Sequence, residues 1–153
     1  GSCNIYYGAG GGRIVVDSHV RLWSLRMLLR GIRRWRHRRI VIVSTCFTEL
    51  SDADAREAGV MLSAAADAVM LVAGEAGAER VDDIRAGAVA NLAPAIVLSK
   101  STESRALDWL LRNLGRDDIG LVISEEPSAT HERLVAAGLE LDRPTMEYDA
   151  AAN

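Results

Sequence analysis

Acidic, hydroxyl-bearing and amine-bearing residues recur in this sequence just after short runs of β-branched residues. Asp17, Ser18 and His19 follow Ile14-Val15-Val16, and Thr45, Thr48 and Glu49 follow Ile40-Val41-Ile42-Val43. Glu75 and Glu79 come after residues 69–72, Lys100 after residues 96–98, and Ser124-Glu125-Glu126 after residues 119–123. A loop carboxylate can receive an amine or its proton. A lone lysine suits a phosphate, and Lys100 is the single lysine against seventeen arginines. Each residue also has an ordinary use: Asp17 or Ser18 as a helix N-cap, His19 as an exposed turn residue, the glutamates and Lys100 as solvated surface. No Ser-His-Asp or Cys-His arrangement has an order and spacing that point to nucleophilic catalysis. His19, His37 and His131 are scattered without metal-ligand spacing, so no metal site is expected.

For these residues to act together, the runs before them must be parallel strands, whose carboxyl ends gather along one edge of a sheet. The runs at residues 39–44, 68–73, 95–98 and 119–123 are apolar without alternation, as in strands covered on both faces. Helical patterns lie between them. Ala58, Met61, Leu62 and Ala65 recur at i, i+3, i+4 and i+7, as do Leu107, Leu110, Leu111 and Leu114, and His131, Leu134, Val135 and Gly138. Ser51 and either Ser101 or Thr102 stand where caps belong, and Ser128 or Thr130 suits the last helix. Residues 82–92 predict a weaker helix, loosened by Gly87 and stopped before Pro94. The expected fold is α/β: a doubly wound, mostly parallel, Rossmann-like sheet with an N-terminal β-hairpin, over residues 4–140. Residues from Gly138 on, and 141–153 in particular, read as a flexible tail, and Gly1-Ser2 as a cloning remnant.

The run Gly8-Ala9-Gly10-Gly11-Gly12 invites a phosphate-loop reading. A phosphate loop follows a strand and opens a helix, whose N-terminal amides bind the anion. Here the glycines precede the strand Ile14-Val15-Val16, and no Gly-Lys-Ser/Thr ending occurs, so a hairpin turn is expected.

The net charge of −3 hides an asymmetry: residues 1–40 carry +8 and residues 41–153 carry −11. Residues 20–36 project as an amphipathic helix. Leu22, Leu25, Leu28, Leu29, Ile32 and Trp35 share one face; Arg26, Arg30, Arg33 and Arg34, with Trp23 among them, share the other. Such a face could meet nucleic acid or another anionic surface. A solvated face balanced by the acidic remainder is the reading preferred at this level, because the chain as a whole is acidic. No apolar run approaches the roughly 18 residues of a membrane span, and no membrane partner is expected. Cys3 and Cys46 sit far apart, which fits free thiols in a cytoplasmic protein better than a disulfide.

The order of these landmarks resembles the C-terminal domain of the Mur ligases, the ATP-dependent amino-acid ligases of peptidoglycan precursor synthesis, most of all the D-alanyl-D-alanine-adding type. That domain opens with a hairpin and a strand ending in Asp-Ser-Tyr-Asn-Ala-Asn-Pro; Asp17-Ser18-His19-Val20-Arg21-Leu22-Trp23 stands there. Arg38-Arg39-Ile40-Val41-Ile42-Val43 and Glu49-Leu50 match the next strand and its Met-Leu-Glu-Leu-Gly turn. Residues 66–74 and 118–124 match later strands. The departures are specific. Val20, Leu22 and Trp23 replace Asn, Asn and Pro, Ala55 is nearest the family's His, and Ser124-Glu125-Glu126 replaces a late Lys-Gly.

The resemblance implies the acceptor-binding, lid-like domain of an amide ligase, inactive alone and holding no cofactor by itself. ATP and Mg would sit mostly in a central ATP-binding domain preceding it, its partner in closure along with an amino-acid or amine acceptor. Asp17, Ser18 and His19 would face the nucleotide, and Thr48, Glu49, Glu75, Lys100 and Ser124 the acceptor. The alternative is a diverged, non-catalytic domain kept for assembly or protein interaction.

Overall fold

A computed structural model of the 153-residue chain describes residues 3–8, 10–18, 21–45, 50–73, 78–90, 96–100 and 102–142. Two short strands open it, β1 (Asn4–Tyr7) and β2 (Arg13–Asp17), paired antiparallel from Asn4↔Val16 to Tyr7↔Arg13. The glycine run is the hairpin turn between them. Gly11 N–H donates to the Gly8 carbonyl at 3.1 Å, and Gly11 takes a φ of +84°, a conformation that side chains disfavour.

Alternation then sets in: α1 (Leu22–Arg33), β3 (Ile40–Thr45), α2 (Asp52–Ala65), β4 (Ala68–Val72), α3 (Ala78–Ala90), β5 (Ile96–Lys100), α4 (Glu103–Asn113), β6 (Ile119–Ile123), α5 (Pro127–Ala136) and β7 (Glu140–Leu141). The sheet order is β5-β4-β3-β6-β2-β1-β7, with β5, β4, β3, β6 and β2 mutually parallel. This is the expected doubly wound α/β sheet with its N-terminal hairpin. Among the described residues no helix is long and apolar enough to cross a membrane.

Both faces of the sheet are covered, which is why its central strands are apolar without alternation. Ile40, Ile42, Val69, Leu71, Leu121 and Ile123 pack with α1, α2 and α3. Val41, Val43, Met70, Val72 and Val122 point the other way, to Leu107 and Leu110 of α4 and Leu134 of α5. Leu25, Leu29 and Ile32 of α1 are buried as the period predicts, each worth about 1.5–3 kcal/mol of apolar transfer.

Caps set where helices begin. Ser51 accepts from the Asp54 N–H, and Thr102 from the Arg105 N–H. Glu126, not Ser128 or Thr130, is the N-cap of α5, with Pro127 in its first turn. α1 starts after Arg21, so neither Asp17 nor Ser18 is its N-cap residue.

Two sequence expectations change. The α3 helix begins at Ala78 rather than residue 82, and Gly87 is a contact point rather than a weakness. A Cβ on Gly87 would lie 1.9 Å from the Arg56 carbonyl oxygen, and one on Gly59 would lie 1.9 Å from that of Ile84. The two glycines let the backbones of α2 and α3 touch. The stretch after Gly138, read as tail, contains β7, with Tyr6↔Leu141 and Tyr7↔Glu140 paired antiparallel. Gly138, at φ +92°, ends α5, and the Leu139 N–H donates back to the Leu134 carbonyl, turning the chain into that strand. A strand of two residues is too short to leave a periodic signal, which is why the stretch reads as tail in the sequence.

Candidate ligand rim at the carboxyl edge

Parallel register brings the strand ends to one edge. Asp17 pairs with Ile123, Ser44 with Ile123, Thr45 with Val72, and Val72 with Lys100. Asp17, Thr45, Val72, Lys100 and Ser124 therefore share a rim. The winding reverses between β3 and β6: the chain leaves β3 for β4 on one side and leaves β6 for β7 on the other. Open α/β sheets place ligands in the crevice at such a point.

Hydrogen bonds hold this crevice in shape. The Thr45 hydroxyl donates to the Ile123 carbonyl at 2.8 Å, joining the ends of β3 and β6. The Ser124 N–H donates to the Asp17 carbonyl at 2.9 Å, joining β6 to β2. The Asp17 carboxylate accepts the Ser18 N–H at 2.7 Å, and both residues are partly exposed. Ser124 is buried, and its hydroxyl lies 2.7 Å from Glu103 Oε1 and 2.8 Å from the Thr130 hydroxyl while accepting the Glu126 N–H at 3.0 Å. Thr130 also bonds Glu103 Oε1. One carboxylate oxygen at the start of α4 thus ties together β6 and α5.

Of the anticipated site residues, Asp17, Ser18, Lys100 and Ser124 lie on the rim; the Lys100 backbone fixes its register there. Glu79 is exposed in the first turn of α3. His19, Thr48, Glu49 and Glu75 lie outside the described residues. Glu103 and Thr130 were not anticipated as partners of Ser124. Their meeting depends on α4 crossing the sheet from β5 back to β6, which no local sequence signal marks.

The opposite, amino edge is built differently. Asp118, with no exposed side-chain surface, accepts from Arg38 Nε at 3.0 Å, from an Arg39 guanidinium nitrogen at 2.8 Å and from the Gly115 N–H at 2.8 Å. Burial alone would push its carboxyl up. The bonds from Arg38, Arg39 and Gly115 outweigh that and hold it well below the usual carboxylate range. Arg13 stacks over Trp35 at 5.1 Å and donates to the Arg36 carbonyl. On the second core face, the Tyr6 hydroxyl, its pKa raised by burial, sits 2.7 Å from His131 Nδ1.

Among the described residues no group of His, Cys, Asp or Glu could hold a metal. The glycine run turns into a strand rather than a helix, so these residues offer no phosphate cradle either.

No protein-family model matches the chain, and no curated protein sequence matches it. Solved structures do. A UDP-N-acetylmuramoyl-L-alanyl-D-glutamate–2,6-diaminopimelate ligase superposes with a TM-score of 0.66 at 14% identity, covering 80% of this chain and 26% of that one. A murein peptide ligase from Psychrobacter arcticus 273-4 gives 0.62 at 15% identity over 81% and 27%. A domain from a protein described as a UDP-N-acetylmuramate:L-alanyl-gamma-D-glutamyl-medo-diaminopimelate ligase of Haemophilus ducreyi 35000HP gives 0.57 at 17% identity over 84% and 92%. The chain therefore has a Mur-ligase-like fold, and it spans about a quarter of the length of the first two ligases.

Proposed function

We propose that this chain is the C-terminal, acceptor-holding domain of an ATP-dependent amide ligase of the Mur type, closest to the D-alanyl-D-alanine-adding kind. The observation that carries the reading is a fold like one quarter of a Mur ligase, coupled with a polar rim at the switch point of its sheet. Asp17 and Ser18, with His19 beyond them, would face the nucleotide. Lys100, Ser124 and the loops holding Thr48, Glu49 and Glu75 would face the amine. ATP and Mg would be held chiefly by a central domain preceding this one, in the cytoplasm. Domain closure would bring the amine to an acyl-phosphate and exclude water from it.

A second reading, a non-catalytic domain kept for assembly, is favoured by one observation. The Ser124 hydroxyl is buried and engaged with Glu103, Thr130 and the Glu126 N–H, so it is committed to structure rather than offered to an acceptor.

Backbone NMR of the chain, titrated separately with ATP–Mg and with a panel of amino acids, tests the two. The ligase reading expects shifts on the rim, at the loop after Ser124, with an amino acid, at most weak ones at Asp17 and Ser18 with ATP–Mg, whose main contacts belong to the other domain, and none at Gly115 or Asp118 on the far edge. No response on the rim to any of the amino acids would refute it and favour assembly.

A further inference from the structure

The outward face of α1 has no role in either reading. At about 100° per residue, Trp23, Met27, Arg30 and Arg34 fall within about 60° of one another, directly opposite the buried Leu25, Leu29 and Ile32. Trp23 is 66% exposed and Met27 65%. Among the described residues they are the one pair of exposed large apolar side chains a helical turn apart. Residues 21–36 hold six arginines and no acid. Arg26 leans toward Glu57 at 3.7 Å, and Arg38 and Arg39 beyond the helix are committed to Asp118. Arg30, Arg33 and Arg34 are exposed and have no ion pair among the described residues.

We propose that this face docks on an anionic lipid surface, with Trp23 and Met27 entering the headgroup region and Arg30, Arg33 and Arg34 meeting its phosphates. Tryptophan favours that region because its ring is apolar and its N–H is polar, and arginines near an anionic leaflet are attracted by its surface potential. Charge selects the occupant. A second copy of the chain packed α1 on α1 would set two arginine rows against each other. The apolar contact is a ridge two side chains wide, far short of the roughly 800 Å² per partner of a stable protein interface, whereas a fluid bilayer surface closes around a ridge. Single-stranded nucleic acid could stack on Trp23, but it gives Met27 nothing to bury against, and one exposed ring is not the row of aromatic platforms on which successive bases stack. Lying on a bilayer needs no spanning segment, so the lack of one, from which no membrane partner was expected, does not bear on this contact.

The test is co-sedimentation of the chain with vesicles of phosphatidylcholine, with and without phosphatidylglycerol, at low and high salt, together with a gel shift on a single-stranded oligonucleotide. The expected result is binding only to the phosphatidylglycerol vesicles, weakening with salt, with a blue shift of tryptophan emission. Trp23→Phe should remove most of that shift, although Trp35 and Trp109 remain. The double variant Arg30→Glu/Arg34→Glu should bind at least about tenfold more weakly. Both variants replace exposed side chains, and an unchanged thermal melt will show that they fold. Absence of vesicle binding at low salt, equal binding to neutral vesicles, full binding by the double variant, or binding to the oligonucleotide alone would each overturn the proposal.

Discussion

Replacing Asp118 with asparagine removes the charge on which two arginines converge while keeping the size of the side chain. In the native chain this carboxylate has no exposed surface and gathers Arg38, Arg39 and the Gly115 N–H, joining the turn before β6 to the start of β3. Breaking a fully buried ion pair costs about 3–5 kcal/mol. Here the guanidiniums are 61% and 40% exposed and will be partly rehydrated. The expected loss is therefore smaller, about 2 kcal/mol, or about 4–8 °C in Tm for a domain of this size.

The pH dependence is more discriminating than the size. The carboxyl is held below its usual range in the folded chain, so near and below about pH 4 the unfolded chain binds a proton that the folded chain does not. Its contribution is complete above that pH and is lost as pH falls. Urea denaturation followed by circular dichroism should show wild type and Asp118→Asn separated by about 2 kcal/mol near neutral pH, the gap narrowing below about pH 4. A gap that stays constant, or widens on acidification, would refute this account of the cluster.

Two further substitutions probe other parts of the fold. Gly87→Ala adds a methyl group where the Arg56 carbonyl already sits, and backbone cannot yield as a side chain would. Despite the better helix propensity of alanine, it should destabilise by about 2 kcal/mol, read as a lowered urea midpoint, whereas Gly31→Ala on open surface should not. Thr130→Val keeps the shape but leaves Glu103 Oε1 and Ser124 without one hydroxyl; a loss of about 1–2 kcal/mol, together with NMR shifts at Ser124 and Glu126, is expected.

The sequence alone determined the architecture, because the pattern of burial is written in local residue types. Unalternating runs such as Ile40-Val41-Ile42-Val43 required a sheet covered on both faces, and glycines placed before a strand rather than a helix marked a hairpin. It also put Asp17, Lys100 and Ser124 at strand ends, so a shared rim followed once the strands were parallel. Tertiary structure alone decided the rest. Glu103 meets Ser124 and Thr130 only because α4 crosses the sheet, Gly59 and Gly87 matter only because α2 touches α3, and β7 exists only because β1 offers it an edge. These contacts join residues far apart along the chain. Their energy comes from proximity that local propensity does not encode, and that the packed core creates.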